Sequence, residues 1–298
     1  MPPTWLTAAF LGAVAAVIIF RHYRQRQADA LLDTHAQRRT SGEADHHLSQ
    51  WREAQRMFSA GDIDGLRRLE EIAQDNPKQR QSVISQICVG LRGGTRLHGL
   101  DAAWRTTLQE ALAGHLRPGP KFWAGMDLVL VGAELVDLDL SGCRVRKATF
   151  ALSRFHGDSR FTAMTATGEV DFDEVGFHRH ANFDDALFAQ QVSFRGTSFS
   201  GNASFAGIRV SDEATFSHAR FSGRATFTRA EFGGVAHFRR TRFGGRAYFT
   251  GAVFTKTAHF EHTWFRGRTD VGTALYGDDA DFDGALFGRR VPPAGHPA

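Results

Sequence analysis

The run ATFTRAEFGGVAHFRRTRFGGRAYFTGAVFTKTAHF, residues 225–260, decides the fold. Within it Phe227, Phe232, Phe238, Phe243, Phe249, Phe254 and Phe260 return at alternating steps of five and six. Two positions before each stands a small or β-branched residue: Ala225, Ala230, Ala236, Thr241, Ala247, Ala252 and Ala258. The frame reaches upstream through Phe221, Phe216, Phe205, Phe199, Phe194, Phe188, Phe183, Phe177, Phe172, Phe161 and Phe155 to Phe150, with Ala166 and Val210 where Phe is missing. Downstream it passes through Phe265, Val271, Tyr276, Phe282 and Phe287. A strand alternates every second residue and a helix follows a period of 3.6, so this spacing suits neither. It suits a solenoid that turns a corner after every five or six residues, with Phe and the small residue pointing inward. Each buried Phe contributes roughly 1.5–3 kcal/mol, enough for a column of rings to serve as the core.

Faces of 5, 6, 5 and 6 residues make a 22-residue coil, so positions 22 apart lie above one another at the spacing of paired strands, about 4.8 Å. Gly201, Gly223, Gly245 and Gly267 then form one column, as expected at a corner that needs positive φ or close approach. Beside it run Asn202, Arg224, Arg246, Arg268 and Arg290, a candidate stripe for an acidic partner or anionic headgroups. Other columns balance themselves: Arg239 below Glu261, and Asp173 below Arg195. His237 lies below His259 with Asp281 above, and His218, Arg240 and His262 form a further line. A flat array of this kind converges poorly on a metal, and no metal site is assigned.

The Phe-rich run resembles the pentapeptide-repeat proteins, in the variety whose unit reads A-x-F-x-x-A-x-F-x-x-x. AELVDLDLSGCRVRKATF, residues 133–150, resembles the stricter five-residue form, centred on Leu135, Leu140, Val145 and Phe150. The resemblance spans residues 122–288 and implies a mainly β fold, a right-handed quadrilateral β-helix. It carries over no catalytic residues. Some members mimic duplex DNA and protect or inhibit DNA gyrase, which implies a topoisomerase-directed alternative. Mimicry requires an acidic rod, whereas residues 121–290 hold about 21 Lys and Arg against about 20 Asp and Glu. The same balance argues against direct binding of nucleic acid.

Ahead of the repeats, TWLTAAFLGAVAAVIIF (4–20) is uncharged and followed by Arg21, Arg24 and Arg26. This predicts a single transmembrane helix at the lower length limit, with the arginines and the body on the cytoplasmic side. Residues 21–118 read as a helical region. HHLSQWREAQRMF (46–58) places Leu48, Trp51, Ala54 and Met57 or Phe58 on one side. Asp62 offers a cap to a helix with Leu66, Leu69, Ile72 and Ala73 inward. Asn76 and Pro77 start a helix that buries Val83, Ile84, Ile87, Cys88 and Leu91 and stops at Gly93 and Gly94. Asp101 offers a cap to a last helix bearing Trp104, Leu108, Ala111 and Leu112. GLRRLEEIAQDNPKQRQSVISQICVGLR and LQEALAGHLRPGPKFW resemble a helical preamble that precedes Phe-rich repeats in actinobacterial membrane proteins of unknown role. A cap over the open first edge of a β-helix is the physical role expected of it.

The net charge of +4 is mild, and Cys88 and Cys143 suit neither a disulfide framework nor zinc. Asp171, Asp173 and Glu174 cluster but keep the repeat frame, and no nucleophile elbow or phosphate loop appears. The expectation is a membrane-anchored, noncatalytic protein-interaction scaffold without cofactor, its protein partner unidentified, ending in a proline-bearing tail over 289–298.

Overall fold

The computed structural model describes residues 47–92 and 102–288. The apolar run 4–20, Gly93, Gly94, Asp101, Arg290 and the tail lie outside the described residues. Among the described residues no helix is long and apolar enough to cross a membrane.

The chain divides into two compact units at residues 69 and 70. In the first, helix α1 (47–59) turns at Gly61 into the start of α2 (Ile63–Asp75), whose last residues belong to the second. The Asp62 carboxylate accepts the Asp64 N–H (2.9 Å), the expected cap. Ala54, Phe58, Leu66 and Leu69 are buried, whereas Leu48, expected inward, is 52 % exposed. The turn leaves no room at Gly65, where a Cβ would lie 2.2 Å from the Phe58 nitrogen.

The second unit contains α3 (Arg80–Arg92), α4 (Ala102–Leu116) and a β-helix. Asn76 accepts the Lys78 N–H, and a single 3₁₀ turn from Pro77 leads into α3. The inward set of α3 is the five residues expected. On α4 the structure adds Gln109, Ala113, His115 and Leu116 to Leu108 and Leu112, while Trp104 and Ala111 are half-buried.

The β-helix has four parallel sheets, one per face. Face I runs from Asp127–Val129 to Ala280–Asp281 and face II from Glu134–Val136 to Leu286–Phe287, each eight strands deep. Face III has five strands, Ser159–Arg160 to Ala247–Tyr248, and face IV seven, Arg144–Val145 to Leu275–Tyr276. From Ala148 upward partners are 22 residues apart, as in Ala148↔Val170 and Phe221↔Phe243. The first coil is shorter: Glu134 pairs with Arg154, the 20-residue step of four five-residue faces. Face III stops early because Val271, in frame and buried, sits in a 3₁₀ turn.

Ring packing follows the strand pitch. On face I, Phe150, Phe172, Phe194, Phe216, Phe238, Phe260 and Phe282 stack with centroids 4.8–4.9 Å apart and planes within 9°. Face III rings meet these edge to face, at 5.3 Å for Phe161 and Phe172 and for Phe172 and Phe183. Both arrangements are the ones the aromatic quadrupole favours. Ala166 and Val210 are buried in the frame where rings are absent. Thr197, Thr241 and Thr263, at the small inward position, each donate to the Phe carbonyl of the coil below at 2.6–2.7 Å. A buried hydroxyl is thereby satisfied.

Of the two roles expected of the glycine column, close approach is the one found. The glycine column Gly223, Gly245, Gly267 closes the six-residue corner between faces II and III by close approach, not by positive φ. A Cβ on Gly245 would lie 2.2 Å from the Gly223 carbonyl oxygen. Left-handed residues occupy the five-residue corners instead, two positions after the Phe: Leu152, Glu174, Gly196, His218, Arg240, His262 and Gly284 in one column, and Ala163, Asp185, Gly207, Arg229 and Gly251 in the other. The shorter corner turns with one fewer residue and needs the tighter backbone.

At the first coil, side chains stand in for strands. Gln81 of α3 donates to the Asp127 carbonyl (3.0 Å) and accepts the Asp127 N–H (2.8 Å) on face I. Gln109 of α4 makes the same pair with Val136 on face II, at 2.8 and 3.2 Å. On face III the Arg117 guanidinium donates to the Ser141 carbonyl (2.8 Å). Cys143, at the start of face IV, is buried with its sulfur 3.7 Å from the Ala113 carbonyl oxygen. These bonds use the backbone groups an open edge would present to another chain.

Two predictions follow the packing. Gly245→Ala forces a backbone shift and is expected to cost about 1–3 kcal/mol in denaturant unfolding, whereas Gly251→Asn, with φ +66 and only a side-chain carbon nearby, is tolerated. Gln109→Ala removes both bonds to Val136 and is expected to cost about 1–2 kcal/mol. It also speeds thiol labelling of Cys143, whose thiol burial pushes up to about 11 in the intact fold; an unchanged labelling rate would contradict the cap.

Candidate interaction surface

Each outward column is fixed by the strand register, so the surface follows from the coil. Three successive coils present face II and its two flanking corners as HARFSGR (218–224), RTRFGGR (240–246) and HTWFRGR (262–268). These segments hold seven arginines and no Asp or Glu. The corner column Arg224, Arg246, Arg268 is exposed as the sequence suggests, and Arg290 falls outside the described residues. Arg220 and Arg242 point out from the strands, and Arg240 and Arg266 flank them, also exposed. Among the described residues none of the seven lies within ion-pair distance of a carboxylate; only Arg224 has a partner of another kind, the Tyr248 ring 5.9 Å from its guanidinium carbon.

Trp264 follows Arg242 in the same outward column and Leu286 follows Trp264. They are 43 % and 62 % exposed. Shallow depressions of about 280 and 640 Å³ lie on either side of Trp264. The first is walled by His218, Arg240 and Arg242, the second by Arg246, Arg266 and Arg268 over a floor of corner glycines. The glycines that let the coils approach closely also keep this floor low.

Face I has a different character. Arg239 Nε donates to Glu261 Oε1 (2.9 Å), the ion pair expected between adjacent coils, and Arg239 Nη2 meets His259 Nδ1 (3.1 Å). His237 and His259 stack at 5.0 Å. Burial holds the His237 imidazole below its ordinary range, and the Glu213 carboxylate 3.3 Å away opposes this without reversing it. His259, Glu261 and Asp281 each offer a ligand atom, all within 4.8 Å of one another. Glu261 is 15 % exposed and its second oxygen is buried without a partner. The Arg239 guanidinium supplies a cation at Oε1 of this group.

The acidic cluster resolves into turn chemistry. Asp171 accepts the Asp173 N–H (2.8 Å), and Asp173 accepts the Arg195 N–H (3.1 Å) and the Ser193 hydroxyl. The Asp173–Arg195 column exists, but the guanidinium is 3.9 Å away whereas the Arg195 N–H is 3.1 Å from the carboxylate. Glu174 stands apart at a left-handed corner.

Two like charges about 5 Å apart in water repel by a little under 1 kcal/mol. Arg246→Glu, between Arg224 and Arg268, is therefore expected to leave stability unchanged or raise it by a few tenths of a kcal/mol. Loss of stability in denaturant unfolding would show that the column serves the fold instead.

A family model of pentapeptide repeats (9 copies) matches the chain over 172–220, 194–241, 216–264 and 227–275. The starts of the first three matches step by one 22-residue coil, the step of the strand register. No curated protein and no solved structure matches the chain.

Proposed function

The chain is a pentapeptide-repeat protein, and on that footing we propose that it is a membrane-anchored, noncatalytic scaffold whose arginine-bearing face docks an anionic partner at the cytoplasmic side of the membrane. The observation that carries the reading is the charge segregation on face II: three coils of arginine with no carboxylate among them. Seven cations gathered without counter-ions among the described residues repel one another, and an external polyanion removes that cost. The apolar run 4–20 with its following arginines supplies the tether. The noncatalytic part of the reading is supported by the way the acidic cluster is spent on turns.

Topoisomerase mimicry is disfavoured by the same face, since a mimic of duplex DNA presents anions where this one presents cations. Proximity labelling in the native cell tests the proposal, using the full chain, a form lacking residues 1–20, and Arg246→Glu with Arg268→Glu. The expected result is a specific set of membrane-associated neighbours that is lost without the tether and depleted several-fold by charge reversal. A neighbour set indifferent to both changes, or topoisomerase subunits enriched without the tether, would overturn it.

A further inference from the structure

We propose that the anionic partner of face II is the bilayer itself, so that the last coils of the β-helix lie flat on anionic headgroups with Trp264 and Leu286 set into the interface. The inference rests on the reading of the chain as a tethered scaffold and deepens it by naming the polyanion.

Three features of the face fit a lipid surface. Its outward side chains rise from parallel strands in constant register, which gives a planar array suited to a plane. Arginine clusters beside anionic leaflets gain about five-fold in partitioning per residue. Then there is the apolar pair: Trp264 and Leu286 are adjacent across the register and exposed in the midst of the arginines. An indole with apolar body and polar tip suits the headgroup level, and a neighbouring Leu adds buried area. The depressions of about 280 and 640 Å³ beside Trp264 give arginine-walled niches where phosphate groups of neighbouring lipids can sit.

Nucleic acid fits less well. A single strand is held by repeated aromatic platforms. Here Trp264 is the one exposed indole or phenyl ring on these coils of face II, since the inward Phe residues are buried and the other exposed rings are the corner imidazoles of His218 and His262. Duplex DNA would use the arginines but gives no role to the Trp264–Leu286 pair. An acidic protein surface is the remaining competitor and is separated by the test.

Full-length protein carrying Ser222→Cys on face II is labelled there with a fluorophore; Cys88 and Cys143 are buried, with thiols pushed up to about 11, and stay unlabelled. The protein is reconstituted in nanodiscs of phosphatidylcholine alone or with phosphatidylglycerol, with bromine-bearing lipids as quenchers. The expected result is at least a several-fold rise in quenching when phosphatidylglycerol is present. That rise disappears at raised salt, disappears in Arg220→Glu/Arg242→Glu/Arg246→Glu, and is absent for a label at Thr255→Cys after face IV. Equal quenching at both sites, or no dependence on phosphatidylglycerol, overturns the inference. Retention in neutral discs reports on the tether separately. Protein retained but unquenched leaves the scaffold reading standing with an acidic protein as partner. Protein lost from neutral discs sinks the tether, and face II is then judged by phosphatidylglycerol-dependent quenching alone.

Discussion

The distance between hydrogen-bonded strands, about 4.8 Å, is also a comfortable separation for offset-stacked phenyl rings, and the β-helix depends on that coincidence. Within faces I to III the Phe rings repeat at 4.6–5.1 Å, so one rise satisfies the backbone ladder and the core together. The other regular features serve that rise. A small or β-branched residue two positions before each Phe, most often alanine, packs inward beside the rings. Threonine in its place is admitted where its hydroxyl reaches a carbonyl in the coil below. Glycine from Gly201 upward at the corner between faces II and III lets backbone lie on backbone, where a Cβ would meet the carbonyl of the coil below.

A ladder of this kind has ends, and the two helices that precede it are shaped to the first. Glutamine is well suited to the task because its amide reproduces the donor and acceptor of a peptide group at the end of a flexible stem. Gln81 and Gln109 use it on adjacent faces, from different helices. Behind them Trp123 is fully buried, stacked on His115 at 3.6 Å and donating to Gln74. His115 in turn donates from Nδ1 to the Lys121 carbonyl and meets the Glu70 carboxylate through Nε2. The apolar rings, the amide pairs and this polar cluster join α3, α4 and the end of α2 from Glu70 onward to the solenoid. The same register that orders the core also orders the surface, turning a periodic sequence into columns whose charges either cancel, as on face I, or accumulate, as on face II.

Much of this was legible in the residues. The Phe frame gave the coil, and the coil gave the His237–His259 stack, the Arg239–Glu261 pair and the arginine column. Three things escaped. Left-handed corners carry His218, Arg240 and His262 as readily as glycine, so composition does not mark them, and the visible glycine column lies at the other corner, where it acts by close approach. Gln81 and Gln109 read as ordinary helix residues because their partners are 46 and 27 positions away. The breadth of the basic face was hidden by counting charge over the whole rod, where acidic residues on other faces and in lower coils balance it. Charge summed along a chain says little about charge sorted by face.

The columns of the surface are set by which residues stand above one another, and a cysteine crosslink measures that directly. Ser200→Cys/Ser222→Cys places two thiols one 22-residue coil apart on face II, with Cα atoms at about the strand spacing and within disulfide reach. Ser200→Cys/Arg220→Cys places them where a 20-residue coil, like the first one, would bring them together. The account predicts rapid oxidation to an intramolecular disulfide in the first protein and none in the folded second. Efficient bridging in the second, or equal bridging in both, would contradict the register and with it the arginine face.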